Sequence, residues 1–159
     1  ELSEKPVAIT HSNSRNFFVH PRNKPEPMIK LLVEKGGVIG ANAFPPFLPK
    51  GFESTLNDYV DAIEDLVYIA GVDHVGIGTD FTQGQSNQWM DELFYQQGTK
   101  PKQRPKPYPN PVHHPRGFEN PSKLSSVATE LVKRGYPTED VGKILGGNWM
   151  RLLGSVWKR

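Results

Sequence analysis

The chain contains no cysteine. That excludes a disulfide scaffold and any thiolate metal site, and it leaves the compartment open. No apolar run approaches the roughly 20 residues that span a bilayer. Net charge is also scarce: 19 basic residues against 17 acidic ones leave +2. So small an excess argues for neither nucleic acid nor an anionic membrane as a partner. No His-x-His or His-x-x-x-His pair occurs, so no metal site can be read from one short stretch. The chain opens on Glu1-Leu2-Ser3-Glu4, without methionine, a basic leader or an apolar leader. A strand-like run follows only six residues later. So abrupt a start leads us to expect that the N-terminal part of a longer polypeptide is missing.

What is present suits a globular domain. The 159 residues are 36% hydrophobic and 23% charged, enough for one domain with a real core. Three short runs read as strands: residues 7–10, residues 37–41 (Gly-Val-Ile-Gly-Ala) and residues 74–79 (His-Val-Gly-Ile-Gly-Thr). None alternates polar with apolar residues, so each is expected to be covered on both faces, as parallel strands are. Each stops on a polar residue: His11, Asn42 and Asp80.

Helical patterns separate the runs. Residues 26–35 place Met28, Ile29, Leu31 and Leu32 toward one side, begin near Pro25 and Pro27, and end on Gly36-Gly37. Residues 55–70 carry Leu56, Val60, Ile63, Leu66, Val67 and Ala70 at helical spacing. Ser54 or Thr55 should cap that helix, with Asp58 supporting the cap and Gly71 closing it. Strand and helix alternating about every 30 residues make a series of βαβ units.

Residues 82–121 interrupt the series. Prolines crowd the later part, and Lys100, Lys102, Arg104 and Lys106 make it basic. A short amphipathic helix around Trp89, Met90, Leu93, Phe94 and Tyr95 is expected before the prolines. So long an excursion reads as a surface loop of polyproline character, or as a functional loop. Three helical segments follow, the first capped by Ser122, the second begun at Thr138, the third restarted at Asn148 after Gly146-Gly147. The tryptophans read as packing residues.

Chemistry is expected where the strands end, because parallel sheets carry their sites at the carboxyl edge. His11 is a candidate metal ligand, since neutral imidazole is a common one and a strand end holds it rigidly. Asp80 could take a proton or orient a water. Arg22, between Pro21 and Asn23, could bind a carboxylate bidentately. Asn42 could form a hydrogen-bonding wall of the same site. Each also has a plain structural reading: a satisfied histidine, a loop-starting aspartate, a surface arginine. His20 and His74 read as structural, and His113-His114 as exposed.

Four stretches carry a resemblance. They are residues 6–13 (Pro-Val-Ala-Ile-Thr-His-Ser-Asn), residues 20–23 (His-Pro-Arg-Asn), residues 73–81 (Asp-His-Val-Gly-Ile-Gly-Thr-Asp-Phe) and residues 143–149 (Lys-Ile-Leu-Gly-Gly-Asn-Trp), the last followed by Arg151-Leu152. In order and spacing they resemble the membrane (renal) dipeptidase family of zinc peptidases, over nearly the whole chain. The resemblance implies an α/β fold: residues 1–159 would be the C-terminal part of one amidohydrolase-type (β/α)8 TIM barrel, its last three strands and closing helices. It implies that His11 ligates the second of two zinc ions, that Arg22 binds the substrate carboxylate, and that Asp80 contacts a zinc-bridging water and handles protons. The other ligands would lie upstream, so the chain alone should be inactive and should need the N-terminal half of the same protein. The activity implied is zinc-dependent hydrolysis of dipeptides by a metal-activated water. A related hydrolase acting on another small amide or ester, and a binding module using the basic proline-rich loop, stay open as alternatives. A homodimer stays open too. After Asp80 the chain departs from the common Asp-Phe-Asp-Gly and reads Asp80-Phe81-Thr82-Gln83-Gly84, which bears on substrate preference more than on hydrolysis.

Overall fold

Short parallel strands and longer helices alternate in the computed structural model, which describes residues 3–86, 88–89 and 114–157. The elements are β1 (Ala8–Ile9), α1 (Glu26–Glu34), β2 (Val38–Ala41), α2 (Leu56–Ala70), β3 (Val75–Ile77), α3 (Leu124–Lys133), α4 (Thr138–Gly142) and α5 (Asn148–Val156). All three expected strands form, trimmed at their ends. They make one parallel sheet in the order β1-β2-β3, with Ala8 opposite Val38 and Ile39 opposite Val75.

Helices cover one face of this sheet. Ile39, Ala41 and Val75 meet Ile29 and Leu32 of α1, Tyr59, Val60, Ile63 and Leu66 of α2, and Val127 and Leu131 of α3 in one buried cluster. The glycines lie on the other face. A Cβ at Gly76 would run into the indole of Trp149, and one at Gly40 would run into the Thr10 carbonyl and approach the same indole. Glycine at these two positions therefore lets α5 lay a tryptophan on the sheet. This explains why these runs carry glycine where a strand would favour β-branched residues.

The α2 cap is as expected: one Asp58 carboxylate oxygen accepts from the Thr55 backbone N–H at 2.8 Å and from the Thr55 hydroxyl at 2.7 Å. Farther along, the cap differs from expectation. Asn120, not Ser122, supplies the acceptor, taking the Ser122 N–H at 3.0 Å, and a single 3-10 turn, Pro121–Lys123, leads into α3. Asn and Ser cap about equally well, and Asn120 does so here because it stands just outside the turn while Ser122 lies within it. Arg134 then ties α3 to α2 through Asp61 at 2.6 Å and Glu64 at 2.5 Å. The Gly146-Gly147 break is a widened turn, Lys143–Gly147, leading into α5. Trp149 packs as expected, but Trp157 is exposed. No helix among the described residues is long and apolar enough to cross a membrane. Of the amphipathic helix expected around Trp89, Gln88 and Trp89 are described and helical, with Trp89 exposed rather than packed; the rest of it and most of the proline-rich stretch lie outside the described residues.

Candidate active-site rim

Parallel register carries the three strand ends to one edge of the sheet. His11 follows β1, Asn42 follows β2 and Asp80 follows β3. The loop after β1 then folds back, and its order comes from asparagine amides. Asn13 accepts from the Asn42 N–H at 2.9 Å and donates to the Asn42 carbonyl at 3.0 Å. Asn23 donates to the Phe18 carbonyl at 2.9 Å. Ser12 donates to the Arg22 carbonyl at 2.9 Å, and the hydroxyl of buried Ser14 donates to Asp65 on α2. The loop thereby returns Arg22 to His11.

Arg22 Nη2 lies 3.2 Å from His11 Nε2, and His11 Nδ1 lies 2.8 Å from the Thr10 hydroxyl. A guanidinium can only donate, so Nε2 presents its lone pair and Nδ1 carries the hydrogen that Thr10 accepts. That tautomer, with Nδ1–H held by a neighbour and the lone pair on Nε2, is the one a metal-ligating histidine uses. The guanidinium and a metal are mutually exclusive partners of that lone pair. Among the described residues, no three His, Cys, Asp or Glu side chains come together to hold a metal ion. Among the described residues, His11 therefore has no companions that would complete such a site.

Asn42 is fully buried beneath the rim. Its side chain accepts from the Phe44 N–H at 2.6 Å and donates to the His11 carbonyl at 3.4 Å. The structure makes it a support for the His11 backbone and spends its amide there, so it does not face outward as a wall. Asp80 is exposed and holds a positive φ of 59°, a left-handed conformation that Asp tolerates better than most residues but still at some cost. Outliers of this kind concentrate at functional sites.

A continuous line of rings joins the Arg22 end of the rim to the Asp80 end. The Arg22 guanidinium lies over Phe47, 5.6 Å from its centroid, a cation–π contact. Phe47 packs on His20 at 4.8 Å and on Phe44 at 5.4 Å. His114 follows, 6.4 Å from Phe44 and 4.6 Å edge-on from Phe81. Phe118 and Tyr59 continue the line into the core. His20 also accepts the Arg22 N–H on Nδ1 at 3.1 Å. Burial and the adjacent Arg22 charge lower its pKa.

The burial of His114 overturns the expectation that it is exposed. The segment after the proline-rich stretch pairs with the start of α2: Arg116 donates to the Ser54 carbonyl at 2.9 Å and accepts from the Leu56 N–H at 2.8 Å. That pairing presses His114 and Phe118 inward. The sequence signal was the aromatic in His114-Pro115-Arg116-Gly117-Phe118, which needs a core to enter. His74 is structural as expected, with Nδ1 2.8 Å from the Gly37 carbonyl.

Dipeptidase aclJ of Aspergillus oryzae is 27% identical over 157 residues, which is 98% of this chain and 31% of that protein. Dipeptidase tcpJ of Claviceps purpurea is 28% identical over the same shares. Among solved structures, an amidohydrolase from Pseudomonas aeruginosa superposes with a TM-score of 0.88 at 37% identity, over 98% of this chain and 47% of that one. A metallo peptidase from Rhodobacter sphaeroides, liganded with a phosphinate mimic of the dipeptide L-Ala-D-Ala, shares the fold with a TM-score of 0.74 at 22% identity. The chain spans about a third of the length of these curated relatives and just under half of the Pseudomonas structure. The family model for membrane dipeptidase (peptidase family M19) matches residues 1–99, well over half of the sequence, and the chain belongs to that family.

Proposed function

We propose that residues 1–159 are the C-terminal portion of one (β/α)8-barrel domain of a zinc dipeptidase, carrying an insertion at about residues 82–121, and that the N-terminal half of the same protein completes it. The observation that carries this reading is that Arg22 and His11 meet on the rim where Asp80 also emerges, with Arg22 leaving the His11 lone pair when a metal takes it. His11 would hold one metal ion through Nε2, oriented by Thr10. When bound, the zinc pair supplies an activated water and polarises the scissile carbonyl. Arg22 binds the free carboxylate of a dipeptide and so fixes the position of the scissile bond. Asp80 receives the proton released as the water attacks. Asn42 holds the His11 backbone, and Ser12 and His20 hold the Arg22 backbone.

A single imidazole does not hold a zinc ion that takes three or four protein ligands. The chain alone is therefore expected to be inactive, and the chain joined to its upstream half active. Zinc per mole and intact mass of each form check this. Arg22→Ala in the complete protein should lower kcat/KM for dipeptides about 10- to 100-fold, the worth of a hydrogen bond between charged groups, and spare substrates without a free carboxylate.

The name of the 37%-identical Pseudomonas structure, an amidohydrolase, favours one second reading: hydrolysis of another small amide or ester at the same rim. Equal losses in Arg22→Ala for substrates with and without a carboxylate would support that reading instead.

A further inference from the structure

A buried polar atom without a partner lies within electrostatic reach of Asp80 on the rim. His114 is 7% exposed, and its Nδ1 is fully buried with no hydrogen-bond partner. Such an atom costs about 1–3 kcal/mol and calls for an explanation when a structure keeps it. An apolar ring would fill the same place between Phe44 and Phe81 without that cost. Asp80 is bonded directly to Phe81, whose ring packs edge-on against His114 at 4.6 Å, and its backbone is held at a φ of 59°. Burial lowers the His114 pKa, and Asp80 is the charged group that opposes the shift. The imidazole is therefore kept neutral, close enough to feel the Asp80 carboxylate.

We propose that His114 is a positioning residue for Asp80: in the working site its Nδ1–H donates to the Asp80 carboxylate and fixes the orientation in which that carboxylate receives a proton. The assignment rests on the dipeptidase reading for its catalytic consequence. It gives the far end of the proline-rich excursion a role at the rim, since the excursion returns at His114. It also accounts for the positive φ, which turns Asp80 out of the strand direction just before the residue that packs on His114.

The test uses the complete protein with zinc bound. His114→Phe keeps the ring and removes the polar atom. It should fold with equal or higher thermal stability, because an orphaned polar atom is lost. It should keep its zinc, lose about tenfold in kcat with little change in KM, and shift the acidic limb of the pH–rate profile that reports the free carboxylate. His114→Asn places an amide N–H where Nδ1 stood and should recover most of the rate. A role in packing alone predicts an unchanged pH limb and no advantage of Asn over Phe, and either result overturns the proposal. The contact can also be read without turnover. Asp80→Asn should move the His114 Nδ1 resonance in 15N-histidine spectra, and an unmoved resonance overturns it. If the wild-type protein hydrolyses no dipeptide while the resonance does move, the dipeptidase reading fails and the His114–Asp80 contact stands.

Discussion

The two edges of the sheet are finished differently. In a parallel ladder the N–H and C=O of one residue point to the same side, and successive residues alternate. Gly78 donates to the Ala41 carbonyl, so Gly76 and Gly78 face β2 while Val75 and Ile77 face away from it. Those outward carbonyls are not bare. The Asn148 amide donates to Val75 and also to Val72, both at 2.7 Å, and the Trp149 indole donates to Ile77 at 3.0 Å. Two adjacent side chains at the start of α5 thus seal the β3 edge. Among the described residues the β1 edge has no such cover. By the same alternation Ala8 points outward there, and it is exposed. Beside it lies an apolar groove of about 300 Å³ between β1 and α1, lined by Val7, Ile9, Met28, Leu31 and Leu32. Val7, Met28 and Leu31 are 46%, 49% and 56% exposed. An open parallel edge flanked by exposed apolar side chains invites a further strand and helix, and the proposed upstream half of the barrel would supply them.

The sharpest way to break this contrast is to unseal β3. Trp149→Ala removes the indole donor and the ring that covers Gly40 and Gly76. Loss of a packed tryptophan costs about 3–5 kcal/mol, and urea denaturation should read a loss at the lower end of that range, because Trp149 is only partly buried. Asn148→Ala should cost less, about 2 kcal/mol, by leaving two carbonyls without their donor. Asn148→Asp should cost more than the alanine, since a carboxylate sets an acceptor against two acceptors. If all three variants unfold at the wild-type urea midpoint, β3 is not sealed by α5.

These contacts also mark where the sequence could be read and where it could not. Strands and helices followed from local patterns, because glycine-flanked apolar runs and 3.6-residue spacing are properties of single segments. The Thr55–Asp58 cap was legible for the same reason. The facing of Gly40 and Gly76 was not, because a tryptophan more than 70 residues away decides it. At the rim, His11 and Asp80 stand out as polar residues after strand ends and Arg22 as an arginine fixed between Pro21 and Asn23, while Asn42 turns under the backbone because Asn13, a residue with no chemical signature of its own, clamps the neighbouring peptide. His114 was misread because proline-rich surroundings suggest exposure, whereas backbone pairing of Arg116 with the start of α2 decides its burial.

The open edge makes a prediction of opposite form. Leu31→Lys should change the stability of the isolated chain by less than about 0.5 kcal/mol, as exposed substitutions do. The same change should weaken binding to a separately produced upstream half about tenfold or more, read by calorimetry. Unchanged binding would mean that the β1–α1 groove is not the docking face, and the contrast between the edges would lose its functional meaning.

The smallest expected effect concerns how the loop after β1 is held. Its Ser14 hydroxyl donates to Asp65 on α2, and that carboxyl is partly buried. Burial is the main cause raising its pKa, with Glu26 adding to the rise and the Ser14 hydrogen bond opposing it. A carboxyl raised in the folded state binds its proton more tightly there than in the unfolded chain. Its contribution is thus fully present below the unfolded aspartate value and lost as pH rises through the folded one. Asp58 is the counterpart at the other end of α2. Burial pushes it up, but Lys50 and Thr55 outweigh that and its pKa falls, so its contribution is present above the unfolded value and lost as pH falls through the folded one. Asp65→Asn keeps an acceptor for Ser14 and removes the titration. It should abolish the fall in stability on the alkaline side of the aspartate range, a slope of less than about one proton, and leave the acid loss from Asp58 in place. An unchanged slope between mildly acidic and neutral pH would mean that Asp65 is as well solvated in the folded chain as in the unfolded one. The loop that carries Arg22 would then be held by its asparagine clamps alone.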